Sequence, residues 1–369
     1  MTRILVVNVN WLGDVVFSLP VFKALKEVYP TSKISCLAPP RVKEILESSP
    51  YVDQVILYDE QGQHRNFFGK LKLIAQLRQE KFDIAFLLHR SLTRALLVFL
   101  AGIPQRVGYD SKKRGFLLTH KVGSYSKASQ SLSFPNALVG NQDEAILRPP
   151  IKIFGGDNST HRSDFYLNVI ESFGIKVHDR SCELQVNDQS RKRIDSLLES
   201  YGVTLNDFLV LVNAGGNWEL KRWPKENFVV LINRLTKELD AKVVLPGAKD
   251  DEDLARWIFS QTESKPLLLA GQLTIKDLLA LMKRATLVIS ADSGPLHLAS
   301  GVGTTVIGLF GPTRGEVTGP RGRARSSVIQ KDVGCNREPC YYLECPDNVC
   351  MKEITVDDVI KEIRQIRNS

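Results

Sequence analysis

The sequence predicts an α/β protein of two Rossmann-like, doubly wound domains, each a parallel sheet with helices on both faces. Short apolar runs alternate with amphipathic stretches from the first residues, and the alternation starts again after about residue 180. The length of 369 residues fits two domains of ordinary size, and the apolar fraction of 43% supplies a core for each.

The first half contains four strand signals, and helical spacing separates them. The predicted strands are Arg3 to Val9, Lys33 to Leu37, Gln54 to Tyr58 and Ile84 to Leu88. Helices are predicted over residues 15–29, 41–47, 68–79 and 91–101. Residues 109–165 are rich in Gly, Ser, Lys and Arg and contain Pro135, Pro149 and Pro150, so we expect long loops and short helices there.

The second half repeats the pattern and ends in a helix. Strands are predicted over residues 208–213, 242–245, 267–269, 287–290 and 305–310, and helices over 189–201, 225–239, 251–261, 275–284, 295–300 and 356–367. We place the first domain at 1–178 and the second at 179–352, and we expect the helix in 353–369 to pack back on the first domain. Ligands of open α/β sheets bind at the carboxyl ends of the strands, so we expect a site in the cleft between the domains.

The charge of the chain is unevenly distributed. The net charge is +8, and residues 1–180 hold 24 Lys and Arg against 16 Asp and Glu, so the excess lies in the first half. Such asymmetry indicates an anionic partner. No nucleic-acid-binding motif accompanies it, and no uncharged run is long enough to span a membrane or to form a secretory signal. We predict a cytoplasmic protein without a nucleic-acid partner, and peripheral association with the inner membrane stays open.

The first motif, Asn10-Trp11-Leu12-Gly13-Asp14, follows the first strand directly. Gly13 permits a tight turn and close approach of a ligand to the backbone. Asp14 at the start of a helix is either a helix cap or a general base. Trp11 is suited to stacking on a sugar and equally to ordinary packing.

A second motif places charged groups at the end of a strand. The run Leu287 to Ser290 delivers Asp292 to the carboxyl end, and Ser293, Gly294 and Pro295 form the turn into a helix. The amides of such a turn can face a phosphate, and His297 lies one helical turn further on. Capping by Asp292 and a structural role for His297 are the alternatives.

Two further turns also follow strands. Asn213 to Asn217 are small residues that open space for a ligand, and the adjacent cations Lys221 and Arg222 suit a departing diphosphate. A solvated basic turn is the alternative for that pair. Gly311-Pro312-Thr313 brings backbone toward the same ligand. Four such turns together favour a nucleotide-type ligand.

Two groups of residues raise the question of a metal. The acidic run 250–253 suits Mg²⁺ or a helix N-terminus, and we predict the helix and no metal there. Cys36 and Cys182 are isolated and expected to be buried. Cys335, Cys340, Cys345 and Cys350 recur every five residues, a spacing that fits metal knuckles poorly, so a structural metal and packed free thiols both stay open.

Together these motifs resemble the bacterial ADP-heptose:lipopolysaccharide heptosyltransferases, glycosyltransferase family 9, over nearly the whole chain. The matching segments are Ile4 to Val7 with Trp11 to Asp14, Lys221 to Pro224, Asp292 to His297 and Gly311 to Thr313. Residues 101–109, together with the Gly-Pro-Thr turn, favour heptosyltransferase II within the family. The resemblance implies a GT-B fold, an ADP-heptose donor on the second domain and a lipopolysaccharide inner-core acceptor, at the cytoplasmic face of the membrane, on the first.

Roles for single residues follow from the same resemblance. It implies that Asp14 is the general base, that Lys221 stabilises the leaving ADP, and that Trp11 and Gly13 meet the acceptor. The donor-binding residues that it implies are Asn213, Gly215, Arg222, Asp292, Ser293, Gly294, His297, Gly311 and Thr313. Inversion at the anomeric carbon is implied without a required cofactor, and a contribution of Mg²⁺ stays open.

Three alternatives remain at this point. A transferase of the same family could use a different nucleotide sugar or a protein acceptor. A nucleotide-sugar epimerase could use the same two-domain fold and would need no acceptor. A binding module without catalysis is the third.

Overall fold

The chain divides into two compact units, the first Met1–Arg180 and the second Ser181–Ser369. The computed structural model describes residues 1–111, 113–123, 160–335, 340 and 344–368. Each unit contains a six-stranded parallel sheet with helices, which confirms the predicted fold class. The division lies two residues beyond the predicted boundary. Pro135, Pro149 and Pro150, expected in loops, lie outside the described residues.

The first unit is built from alternating strands and helices. Its strands are β1 (Arg3–Val7), β2 (Lys33–Ala38), β3 (Gln54–Leu57), β4 (Ile84–Leu87), β5 (Gln105–Tyr109) and β6 (His120–Val122). Its helices are α1 (Leu12–Val28), α2 (Lys43–Glu47), α3 (Phe67–Gln79), α4 (Leu92–Leu100) and α5 (Arg162–Glu171). The strand order is β3-β2-β1-β4-β5-β6. The winding therefore reverses between β1 and β4, and this switch point is where open sheets bind ligands.

Part of the first unit differs from the prediction. Residues 109–165 were expected to hold only loops and short helices, yet Tyr109 ends β5, β6 forms an edge strand and α5 begins at Arg162. The strand signal is weak because Arg106 and Gly108 interrupt β5, and because His120 and Lys121 are exposed. An edge strand needs no continuous apolar run.

The second unit repeats the architecture. Its strands are β7 (Phe208–Asn213), β8 (Ala241–Leu245), β9 (Leu267–Leu268), β10 (Leu287–Ala291), β11 (Thr305–Phe310) and β12 (Ser326–Gln330). Its helices are α6 (Asp188–Ser200), α7 (Lys225–Leu239), α8 (Glu252–Gln261), α9 (Ile275–Arg284), α10 (Gly294–Gly301), α11 (Gly315–Thr318), α12 (Val349–Lys352) and α13 (Val356–Arg367). The order β12-β11-β10-β7-β8-β9 puts the switch point between β10 and β7. Within the described ranges, no helix has both the length and the apolar character to cross a membrane.

The final helix, α13, is part of the second unit. Its apolar side chains Val359, Ile360 and Ile363 are buried in that unit's core. Arg364 also pairs with Glu238 of α7 at 2.7 Å. From the sequence, residues 353–369 were expected to form a separate segment that packs on the first domain. The structure places its apolar face in the core of the second unit instead.

Candidate active site

The switch point of the second unit brings two sequence motifs together. Asn213 ends β7, and its Nδ2 donates to Oγ of Ser290 in the neighbouring strand β10 at 3.0 Å. Oγ of Ser290 lies 2.9 Å from Oγ of Ser293, which precedes Gly294, the first residue of α10. Parallel pairing of β7 with β10 therefore unites residues that are about 80 positions apart in the sequence.

Asp292 is the centre of a buried polar cluster at the same edge. Its Oδ2 accepts hydrogen bonds from Lys221 Nζ at 2.6 Å, from Thr313 Oγ1 at 2.6 Å and from Thr318 Oγ1 at 3.0 Å. Its Oδ1 lies 3.3 Å from Nε2 of His297. Ser293, rather than Asp292, is the cap residue of α10 and makes no side-chain cap bond. The carboxylate thus joins residues of the segments that follow β7 and β11 with residues of the helices α10 and α11.

Burial and charge act in opposite directions on Asp292. Burial alone would raise the pKa of this carboxyl, but the Lys221 ammonium and the hydrogen bond with His297 hold the pKa well below its usual range. Asp292 is therefore ionised. The Lys221 side chain is 21% exposed against 4% for Asp292. The buried carboxylate of Asp292 thus holds the partly exposed ammonium of Lys221 in place.

The loop after β7 is tightly packed. A side chain at Gly215 would place its Cβ 2.2 Å from Cγ of Asp251. The Asp251 carboxylate accepts from the backbone N–H of Gly216 at 3.3 Å and of Ala248 at 3.2 Å. Nε of Arg222 donates to the Gly216 carbonyl at 2.9 Å. Asp251 therefore orders the loop. The next two acidic residues, Glu252 and Asp253, lie in the first turn of α8, as predicted.

The cysteine-rich segment lies against the Gly-Pro-Thr turn. The backbone N–H of Cys340 donates to the Pro312 carbonyl at 2.7 Å, and a Cβ at Gly311 would meet Cys350 Sγ at 3.1 Å. Cys335, Cys340, Cys345 and Cys350 are free thiols, whereas Cys36 and Cys182 are buried as expected. In the part of the chain that the structure describes, no group of three or more His, Cys, Asp or Glu is placed to hold a metal ion.

In the first unit, Asp14 is held by residues of a distant helix. It is the third residue of α1, and the cap position belongs to Trp11, which makes no side-chain cap bond. Oδ1 of Asp14 accepts from the Tyr166 hydroxyl at 2.9 Å and lies 3.3 Å from Nε of Arg162. Burial and the neighbouring Asp14 raise the pKa of Tyr166 well above its usual value. Tyr166 therefore stays protonated and donates.

Beside Asp14, the loop after β1 carries an exposed aromatic ring. The Trp11 side chain is 37% exposed, and the guanidinium of Arg41 lies 4.5 Å from its ring centroid. Nε of Arg41 also donates to the carbonyl of Asn10 at 2.8 Å. The ring is thus braced on one side by a cation–π contact.

A buried basic network underlies this loop. Arg94 is fully buried, and its guanidinium donates to the Asn8 carbonyl at 2.7 Å and to Oδ1 of Asn10 at 2.6 Å. His89 follows β4, and burial together with Arg94 and Arg114 lowers its pKa to about 3. The neutral imidazole accepts from the backbone of Ser91 at 3.1 Å. The network fixes the loop at the switch point between β1 and β4.

Several of these residues were not found from the sequence. Tyr166 and Arg162 lie about 150 positions from Asp14. Arg162 falls within residues 109–165, where long loops and short helices were expected, and Tyr166 follows directly after that segment. Thr318 reaches Asp292 from a short helix that was not predicted. No local spacing links such residues to their partners, and only the packing brings them together.

Two Rossmann-like units, each with polar side chains at its switch point, are the architecture of the GT-B glycosyltransferases. The sequence model described as glycosyltransferase family 9 (heptosyltransferase) matches residues 70–136 and 159–345. The chain therefore belongs to this family and is a glycosyltransferase.

Named relatives and a solved structure agree with the family. Lipopolysaccharide heptosyltransferase 2 of Salmonella typhimurium is 24% identical over 349 residues, which are 91% of this chain and 90% of the relative. Lipopolysaccharide heptosyltransferase 3 of Escherichia coli is 28% identical over 82% of this chain and 80% of its own length. The structure of E. coli ADP-heptose lps heptosyltransferase II superposes with a TM-score of 0.73 at 20% identity, covering 99% and 98% of the two chains.

Proposed function

We propose that this protein transfers a heptose from ADP-heptose to the inner core of lipopolysaccharide, with inversion at the anomeric carbon. Membership of the heptosyltransferase family supports the type of sugar and acceptor. The observation that carries the proposal is the cluster around Asp292. It holds the Lys221 ammonium at the switch point of the second unit, where a nucleotide diphosphate is expected to bind.

We assign the donor to the second unit. Lys221 and Arg222 neutralise the diphosphate, and the turn from Ser293 to Gly294 offers backbone amides at the start of α10. Asn213, Gly215, Gly311 and Thr313 shape the same edge of the sheet, and His297 and Asp292 fix its polar groups. In this assignment Asp292 positions Lys221 and does not itself meet the phosphates, since four side chains already surround its carboxylate.

We assign the acceptor and its deprotonation to the first unit. Both contacts to Asp14 recorded among the described residues engage Oδ1, which leaves Oδ2 to accept a proton. The acceptor hydroxyl gives its proton to Asp14, and its oxygen forms a bond with the anomeric carbon. The bond between that carbon and the diphosphate oxygen breaks, and ADP leaves with its new charge balanced by Lys221. Trp11 and Gly13 flank the acceptor sugar.

The acceptor is proposed to be presented at the cytoplasmic face of the membrane. Inner-core lipopolysaccharide is anionic, and the positive excess of residues 1–180 complements it. A protein that works there is peripheral on the inner membrane.

A transfer assay tests the proposal. Purified protein is incubated with ADP-heptose and a deeply truncated lipopolysaccharide, and the product is examined by mass spectrometry and NMR. We expect the mass of one added heptose and an anomeric configuration opposite to that of the donor. Transfer from a UDP-sugar or to a protein would favour a different family transferase. Interconversion of a nucleotide sugar without acceptor would favour an epimerase, and neither ADP binding nor transfer would refute the proposal.

A further inference from the structure

The first unit exposes a set of large apolar side chains on two helices. On α3, Phe67, Phe68 and Leu71 are 69%, 72% and 42% exposed. On α4, exposed fractions of 40–44% are found for Leu92, Leu96, Phe99 and Leu100. These seven residues are called the apolar patch below. In the second unit, by contrast, the exposed large apolar residues among those described come from separate elements: Tyr201, Leu205, Val230, Val328 and Val349.

The two helices lie side by side over one face of the sheet. Their inner sides, including Leu73 and Leu77 of α3 and Val98 of α4, belong to one core cluster with β1 and β4. The Arg78 guanidinium of α3 donates to the carbonyl of Leu100 at 2.8 Å. The exposed residues of α4 recur at intervals of three and four, so they form one stripe opposite the core. The apolar patch is therefore the outer surface of a single layer.

Only cations accompany the apolar patch in its own segments. Residues 61–79 and 84–109, which contain both helices, hold no Asp or Glu. Arg65 and Lys72 are exposed beside the patch on α3, and the Arg106 guanidinium lies 5.2 Å from the Phe99 ring. Glu80, just after α3, is engaged with Arg3 and Lys33. The surface thus combines exposed aromatic and Leu side chains with exposed cationic side chains.

We propose that the apolar patch docks the protein on the surface of an anionic lipid bilayer. Phenylalanine and leucine side chains bury apolar area among the acyl chains and headgroups, while the Lys and Arg side chains pair with anionic headgroups. A second copy of the chain is a poorer occupant, because a symmetric contact would place the cationic rim against itself. The docking deepens the proposed function and rests on its placement of the protein at the inner membrane, because it names the surface that would meet the lipid.

Sedimentation of the full chain with lipid vesicles tests the inference. The probes are vesicles containing phosphatidylglycerol and vesicles of phosphatidylcholine alone. We expect the protein to bind the anionic vesicles more tightly and to be released by salt. The variants Phe67→Ser/Phe68→Ser and Leu96→Ser/Phe99→Ser should each bind roughly tenfold more weakly or worse. The matched control Tyr201→Ser/Leu205→Ser, which removes equally exposed apolar side chains from the second unit, should bind like the wild type.

A charge variant and two further measurements distinguish bilayer docking from dimerisation and from loss of transfer activity. Arg65→Gln/Lys72→Gln should also weaken anionic binding while leaving the apolar patch intact, and thermal unfolding verifies that each variant is folded. Wild-type binding by the patch variants, or no preference for anionic vesicles, would overturn the inference. A dimer that the patch variants dissociate, with vesicle binding unchanged, would assign the surface to a second copy instead. Transfer to a water-soluble acceptor tests the proposed function separately, because docking variants should retain it.

Discussion

The hydroxyl of Tyr166 donates a hydrogen bond to Oδ1 of Asp14 across 152 positions of sequence, at 2.9 Å. Both groups are largely buried, and Arg162 lies 3.3 Å from the same oxygen. Because α5 packs against α1, the proposed base is oriented by a different element from the one that carries it. In the proposed mechanism, Oδ2 then accepts the proton of the acceptor hydroxyl.

Removing the Tyr166 hydroxyl should slow turnover without weakening the binding of the nucleotide sugar. In Tyr166→Phe the carboxylate loses a hydrogen bond that fixes its direction, and we expect kcat to fall about tenfold. KM for the donor should stay unchanged, because the donor is assigned to the second unit. Steady-state kinetics of Tyr166→Phe beside the exposed control Tyr201→Phe provide the measurement. A wild-type kcat in Tyr166→Phe would show that the Tyr166 hydroxyl is not needed to orient Asp14.

Lys221 should contribute to both stability and turnover. The variant Lys221→Met leaves Asp292 buried without its cation, so the free energy of unfolding should fall by about 3 kcal/mol. Turnover should fall roughly 100- to 1000-fold, because the charge on the departing diphosphate is no longer balanced.

A second substitution separates the two effects. Adding Asp292→Asn to Lys221→Met removes the unpaired buried charge, so stability should recover while turnover stays low. Urea unfolding and kinetics are measured on the single and the double variant. Lys225→Met is the control, because the Lys225 side chain contacts the Trp257 ring and not the Asp292 carboxylate. If the double variant regained turnover, Lys221 would have only a structural role.

Gly215 should tolerate no side chain. In Gly215→Ala the new methyl group would lie 2.2 Å from Cγ of Asp251, so the carboxylate must move and lose its bonds to Gly216 and Ala248. We expect a loss of about 1–3 kcal/mol in stability and weaker ADP binding by calorimetry.

Gly216→Ala is the matched control for this prediction. Its Cβ would meet nothing closer than Cβ of Ser293 at 3.9 Å, so the substitution should be tolerated. Asp251→Ala and Gly215→Ala/Asp251→Ala should be equally stable, because without the carboxylate there is no clash. A further loss in the double variant would show that the glycine is required for another reason.

His89 should make the first unit sensitive to acid. An unfolded histidine takes up a proton below pH of about 6.5, whereas burial and two arginines keep folded His89 neutral to about 3. The unfolded state therefore binds more protons between these values. The free energy of unfolding should fall as pH drops through this window, by up to roughly 1.4 kcal/mol per pH unit.

Urea unfolding between pH 7 and pH 5 measures this dependence. His89→Asn keeps an acceptor for the Ser91 N–H and removes the titration, so its stability should vary less with pH. The exposed His120→Asn serves as the control and should follow the wild type. A wild-type-like dependence in His89→Asn would assign the acid sensitivity to other groups.

The regular part of the fold could be predicted because local signals are strong there. Phe208–Asn213, Lys225–Leu239, Ile275–Arg284 and Thr305–Phe310 begin and end where predicted. Buried parallel strands are continuous apolar runs, and amphipathic helices show their period clearly. β6 and β12 lie at sheet edges and were missed because a partly solvated strand needs no such run.

The candidate site divides in the same way. Asp14, Asp292 and His297 were found because each follows a strand within a few residues. Tyr166 and Thr318 could not be found, because their contacts depend on how α5 and α11 pack. The sequence also left helix capping open for Asp14 and Asp292, and only the structure shows that both carboxylates serve other contacts.

The most direct test of the proposed transfer is the activity of Asp14→Asn measured beside its binding of ADP. We predict that ADP affinity by calorimetry matches the wild type, since the nucleotide is assigned to the second unit. Heptosyl transfer should fall about 100- to 10,000-fold, because the amide cannot take the acceptor proton. Glu27→Gln, an exposed acid on the same helix, should retain full activity. Wild-type transfer by Asp14→Asn would contradict the assignment of the general base and with it the mechanism.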